Sequence, residues 1–279
     1  MSILKEYEDD KKHIHVLSYG GGTQSTALLL MALKGEINGV IPDYIIFSDT
    51  GWEPENVYKW IEKVNKYIKK NFNREIHFTS FGNIYHDTLN KEGSGKTVAS
   101  MPLFVLNEGN KKSMLHRQCT IQYKIAPVKK KIRTLLGYRP KQRVREIVHM
   151  WKGISTDEIR RAKPIPDHWI EAEHPLIDVV DMDRQACIEY VEKEGLGTPP
   201  RSACIGCPYR DNRSWYDIKI NHPEEFQTAV NIDEVIRHSL PYGSAFLHVD
   251  RIPLTEVDFR SKLDDPNQFD NECEGMCGV

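Results

Sequence analysis

The sequence predicts an α/β protein: a Rossmann-like parallel sheet flanked by helices, followed by a smaller, cysteine-containing, mostly helical region. Three observations carry this reading. Strand-like and helix-like stretches alternate through the first third of the chain. Three consecutive glycines, Gly20-Gly21-Gly22, separate the first strand from the first helix. Beyond Pro199-Pro200 the composition changes to a stretch rich in cysteine and arginine. The expected division is an α/β domain over 1–180 and a cysteine-rich helical region with a tail over 181–279.

Residues 13–19 read as a strand with apolar Ile14, Val16 and Leu17. After the glycines, 25–34 (STALLLMALK) is an apolar helix stopped by Gly35. Residues 43–48 (DYIIFS) form a buried strand bounded by Pro42 and Gly51. Pro54 suits the first turn of a helix whose apolar face is Val57, Trp60, Ile61, Val64 and Ile68. A third strand follows at 75–81. Strand–helix–strand–helix–strand implies parallel strands joined by helical crossovers. Residues 91–113 are rich in Gly, Ser and Lys and read as a mobile loop near the site. A helix with a basic face over 120–136, a strand over 146–152, a short helix over 157–162 and an amphipathic helix over 183–194 complete this part. The last region reads as helical over 222–239 and extended over 245–257.

The chain has 279 residues and a net charge of −2, with a mean hydropathy of −0.53. No run reaches the roughly 18 apolar residues of a spanning helix, so no membrane partner is expected. The charged first residues lack a signal-peptide apolar segment, and the expected location is cytoplasmic. Residues 111–145 hold many lysines and arginines and no acid. Such a segment binds phosphates or a nucleic-acid backbone, or is simply a solvated face. A homodimer is compatible with the sequence.

A glycine turn between strand and helix lets the backbone approach a ligand closely, and the helix start offers unpaired N–H groups and a positive dipole end to phosphate. The turn Gly20-Gly21-Gly22-Thr23-Gln24-Ser25, with Ser18 before it, is therefore the candidate nucleotide site. It matches neither the Walker pattern nor the dinucleotide fingerprint. Asp49 falls at the end of the second strand, on the ligand-binding edge of an open α/β sheet. There it can hold Mg²⁺ beside phosphates or contact the nucleoside.

The cysteines lie at 119, 187, 204, 207, 273 and 277. Cys204-Ile205-Gly206-Cys207-Pro208 is a tight turn whose two thiolates can share a metal or a cluster. Cys119, Cys273 and Cys277 are further candidate ligands. Cys187 lies in line with Tyr190, Val191 and Glu194 on a helix and reads as a core residue.

The string SYGGGTQSTALLL resembles the signature of the PP-loop ATP pyrophosphatase superfamily, in its phosphoadenosine phosphosulfate (PAPS) reductase-like branch. Asp49-Thr50-Gly51, Gln118-Cys119 with Lys124 and Pro127, Trp151-Lys152-Gly153 with Arg160 and Arg161, and His174-Pro175-Leu176-Ile177-Asp178 are similar to later segments of that branch. Gly20 stands where the first serine is usual, and Thr23-Gln24 where Lys-Asp is common. The resemblance implies an adenine-nucleotide α-hydrolase-like fold. It adds Gly153 and Arg160 to the nucleotide-binding residues and makes Lys124, Arg161, Arg201 and Arg210 phosphate or sulfate contacts. It implies a 4Fe-4S cluster on Cys119, Cys204 and Cys207, with Cys273 among the candidates for the fourth ligand; zinc is the alternative. Met276-Cys277-Gly278 resembles the family's C-terminal ending, making Cys277 a nucleophile, and Asp49 joins it among the catalytic candidates.

The expected function is that of an enzyme binding ATP or an adenylyl nucleotide and transferring sulfur, with a nucleic-acid base among the acceptors. A true PAPS or adenylyl-sulfate reductase is the first alternative. A non-catalytic, zinc-stabilised nucleotide- or nucleic-acid-binding module is the second.

Overall fold

Strand β1 (His13–Tyr19) alternates its side chains between two cores. Leu17 and Tyr19 face one, Ile14 and Val16 the other. The structure, a computed structural model, describes residues 10–90 and 101–260. Helix α1 (Thr23–Leu33) is buried along its whole length, as its unbroken apolar run requires. Strand β2 (Tyr44–Asp49) leads through Pro54 into α2 (Glu55–Phe72), whose five predicted apolar residues are the ones it buries. Asn73 ends α2 in the left-handed region, at φ 52. Strand β3 (Ile76–Ser80) and α3 (Ile84–Leu89) follow; the Asn83 side chain caps α3 by accepting from the His86 N–H.

The loop expected over 91–113 is corrected in its second half; residues 91–100 lie outside the described residues. Strands β4 (Phe104–Asn107) and β5 (Lys112–Met114) form an antiparallel hairpin. The helix expected over 120–136 is two helices: a π-helix, Thr120–Ile125, and α4 (Ala126–Leu135). Strand β6 (Ile147–Lys152) is wholly buried and is followed by a 3₁₀ turn, Thr156–Arg161. Strand β7 (Ile170–Glu173), α5 (Pro175–Asp178) and α6 (Arg184–Lys193) come next. Cys187 is fully buried in the core that α6 shares with α1. Helices α7 (Asn212–Asn221) and α8 (Pro223–Ile236) precede β8 (Gly243–Phe246). The stretch expected to be extended over 245–257 is instead β8, a turn and a 3₁₀ turn at Leu254–Glu256.

Five strands form one parallel sheet in the order β3-β2-β1-β6-β7. Chain order reverses direction between β1 and β6, which opens a crevice at the carboxyl ends of β1, β2 and β6. The architecture is α/β and Rossmann-like, with a largely helical C-terminal region. Helices α1, α2 and α6 cover one face and α4 the other. A third core joins β4 and β8 to α7 and α8, and reaches Trp52, Tyr123 and Ile205. Among the described residues no helix is long and apolar enough to cross a membrane.

Candidate functional site

The glycine turn is held from both sides. Gly21 sits at φ +77, a conformation strained for any L side chain, and a Cβ there would press on the Ile61 side chain of α2 at 3.0 Å. Gly153, just past β6, packs on the start of α1: a Cβ there would meet the Ser25 backbone at 2.7 Å. The Ser202 hydroxyl donates to the Gly20 carbonyl. Thr23, Gln24 and Ser25 are buried; Gln24 donates to the Ser155 hydroxyl at 3.3 Å, and Ser25 to the Gly22 carbonyl at 3.3 Å. Ser18 and Gly20 open onto a small pocket at the ends of β1 and β2, lined also by Tyr19, Phe47, Ser48, Lys124 and Val128.

Asp49, the last residue of β2, is fixed by two donors, the Gly51 N–H and the Tyr58 hydroxyl, each at 2.8 Å from Oδ1. Burial and that carboxylate hold the Tyr58 phenol above its usual range, so it stays a donor. Arg160 is exposed on the 3₁₀ turn after β6.

Cys119, Cys204 and Cys207 line a second, narrow cavity, with Thr50, Arg117, Thr120, Tyr123 and Lys124 also in its wall. The Cys-x-x-Cys turn is built on the loop after β2. The Ile205 N–H donates to the Trp52 carbonyl at 2.9 Å, and Gly206 lies against the Trp52 indole so closely that a Cβ would meet the ring at 2.1 Å. Arg210 braces the turn from behind. Its guanidinium donates to the carbonyls of Ala203, Cys204 and Ile205 at 3.1, 2.9 and 3.2 Å. Burial first, then Arg201, push it down to about 10. This corrects the phosphate-contact expectation for Arg210; Arg201 likewise pairs with Asp211.

Glu53 is a residue the sequence reading missed. It is buried, and its Oε1 accepts from Thr50 Oγ1 at 3.1 Å and from the Cys204 thiol at 3.6 Å, with Lys124 Nζ at 3.8 Å. Its Oε2 is buried with no hydrogen-bond partner. Burial, then the Glu53 charge, raise the Cys204 thiol well above its ordinary value. The available signal was an acid four residues past the edge aspartate, directly before a helix-starting proline.

Among the described residues no group of three or more His, Cys, Asp or Glu side chains is gathered so as to hold a metal ion. Cys273 and Cys277 lie outside the described residues, so the structure brings together three of the expected thiols around a cavity and no more.

A glycine turn at the switch point of a parallel sheet, with an acid fixed on the neighbouring strand end, is an arrangement on which open α/β domains bind nucleotides. Residues 14–145 match the phosphoadenosine phosphosulfate reductase domain, and the chain carries a domain of this family, in the PAPS reductase-like branch of the PP-loop ATP pyrophosphatase superfamily. The match spans the glycine turn, Asp49, Cys119 and Lys124; the Cys-x-x-Cys turn lies beyond it. No curated protein matches the chain. The family binds adenylyl nucleotides and belongs to sulfur-nucleotide metabolism.

Proposed function

We propose that the protein is an enzyme that binds ATP or an adenylyl nucleotide at the carboxyl ends of β1 and β2 and carries out sulfur transfer at the adjoining thiol cavity. One observation carries the reading: the loop from Asp49 to Glu53 belongs to both places. Asp49 ends β2 at the nucleotide edge, while Thr50 and Glu53 touch Cys204.

In this reading the N–H groups of Gly21 to Ser25 and the start of α1 take the phosphates, with Ser18 and Gly20 at the cavity wall. Gly153, lacking a Cβ, lets the end of β6 close on that turn. Asp49 binds the ribose hydroxyls or a Mg²⁺ ion, and Arg160 meets phosphate from the rim. The three thiols suit soft-metal chemistry. A 4Fe-4S cluster on Cys119, Cys204 and Cys207, with Cys273 as candidate fourth ligand, would supply an iron site for sulfur. Zinc on the same thiols is the alternative. The acid-free stretch 111–145, whose Arg117 lines the thiol cavity, favours a nucleic acid as sulfur acceptor.

The test is calorimetric binding of ATP and adenosine 5′-phosphosulfate to anaerobically purified protein, with iron, zinc and sulfide analysis. The reading expects binding that Ser25→Ala weakens, with a visible iron–sulfur absorbance. No binding of either nucleotide refutes it, and a colourless, zinc-loaded protein refutes the cluster. The family match itself supports the second reading, a PAPS or adenylyl-sulfate reductase using Cys277 as nucleophile. Full sulfite formation by Cys277→Ser would exclude that mechanism.

A further inference from the structure

Lys124 stands in the walls of both cavities: the strand-end cavity with Ser18, Gly20 and Ser48, and the thiol cavity with Cys119, Cys204 and Cys207. Its side chain is 10% exposed and that of Glu53 1%, with Lys124 Nζ 3.8 Å from Glu53 Oε1. Two opposite charges at such burial interact far more strongly than at a surface. Arg210, the other buried cation near Glu53, is committed to the carbonyls of the cysteine turn. Glu53 also carries an unspent buried acceptor, Oε2. The lysine stem is flexible and its ammonium a point charge, able to move between two anions on either side of it.

We propose that Glu53 is a built-in competitor for Lys124: a tethered carboxylate that holds the ammonium when the strand-end cavity is empty and that an incoming nucleotide phosphate must displace. The inference rests on the reading of that cavity as the nucleotide site. Glu53 then sets how strongly the cavity selects anionic over neutral adenosine compounds. Nucleotide binding strips the counter-charge from a carboxylate in contact with Cys204, which ties occupancy of one cavity to the charge around the other.

The experiment measures binding of ATP, adenosine 5′-phosphosulfate and, as the neutral probe, adenosine to four full-length proteins: wild type, Glu53→Gln, Lys124→Gln and the double variant. Glu53→Gln is expected to bind both anionic nucleotides about tenfold tighter, within the range of ordinary site-to-site couplings, with adenosine unchanged. Lys124→Gln weakens the anionic nucleotides, and in its background Glu53→Gln changes their affinity by less than about twofold. The proposal is overturned by unchanged or weaker anion binding in Glu53→Gln, by an equal shift for adenosine, or by full tightening without Lys124. Should Glu53→Gln lack a cooperative unfolding transition, Glu53→Asp, which withdraws the carboxylate by one methylene, carries the same expectation of tightening. A wild type that binds neither nucleotide refutes the nucleotide reading and the competitor with it; nucleotide binding without tightening refutes the competitor alone.

Discussion

Replacing Arg210 by methionine removes the brace of the cysteine turn while keeping most of the buried volume. Three carbonyls, of Ala203, Cys204 and Ile205, lose their charged donor. A buried acceptor left unpaired costs about 1–3 kcal/mol. Against this, the cation itself is costly to bury, and burial first, then Arg201, hold it below its ordinary range. The Trp215 ring 5.6 Å from the guanidinium also loses its cation–π partner, worth about 1 kcal/mol. The net expectation is a loss of a few kcal/mol, each 1 kcal/mol lowering Tm by about 2–4 °C for a domain of this size. Urea unfolding followed by tryptophan fluorescence measures it. The turn also loosens, so mass-spectrometric alkylation of Cys204 and Cys207 in the metal-free protein proceeds several-fold faster. A variant as stable as wild type within about 0.5 kcal/mol, with an unchanged alkylation pattern, would show that Arg210 does not hold the turn.

Gly206→Ala drives a methyl group into the Trp52 ring at 2.1 Å; overpacking of this kind costs about 1–3 kcal/mol, read as a lower urea midpoint, and Trp52→Ala should largely relieve the clash in the double variant. His15 is held below its usual 6.5 by burial and then by His149, against the opposing pull of Glu173 and Asp43. The folded state therefore resists a proton that the unfolded chain accepts. That contribution is intact above pH 6.5 and is lost as pH falls below it toward the lowered folded value. Urea midpoints between pH 7 and 5.5 should fall less steeply in His15→Gln than in wild type, and equal slopes would sink the argument.

The parallel sheet was legible because its first three strands are short stretches set apart by two helices, α1 apolar along its length and α2 of clear period. The whole-length burial of α1 follows from TALLLMAL, and the face of α2 from its five apolar positions. The hairpin β4–β5 was not legible: each strand is four residues or fewer, and the outer partner β8 lies more than a hundred residues away in sequence. Strand β7 was missed for the same reason, since its sequence IEAE takes meaning only from pairing with β6. The π-helix at Thr120–Ile125 carries no breaker residue, so the stretch reads as one helix with α4. At the site, the glycine turn and the two spaced cysteines are local patterns. The nearness of Cys119 to Cys204 and Cys207, and of Glu53 to Lys124, is created by tertiary packing alone.

Trp52 tests whether the two cavities are mechanically one. Its carbonyl accepts from Ile205, its indole supports Gly206, and its Nε1 donates to the Thr228 hydroxyl at 2.9 Å. It also stands three residues from Asp49, on the loop whose Gly51 N–H and Thr50 hydroxyl hold Asp49 and Glu53. Trp52→Leu removes the shelf and the Thr228 hydrogen bond but leaves every side chain of the nucleotide edge in place. If the loop is a common foundation, ATP affinity falls several-fold together with faster alkylation of Cys204. If the cysteine turn merely rests on the loop, alkylation rises and ATP affinity stays at the wild-type value. The second outcome would show that this loop does not couple the two cavities, leaving the links through Lys124 and through Ser202 to Gly20.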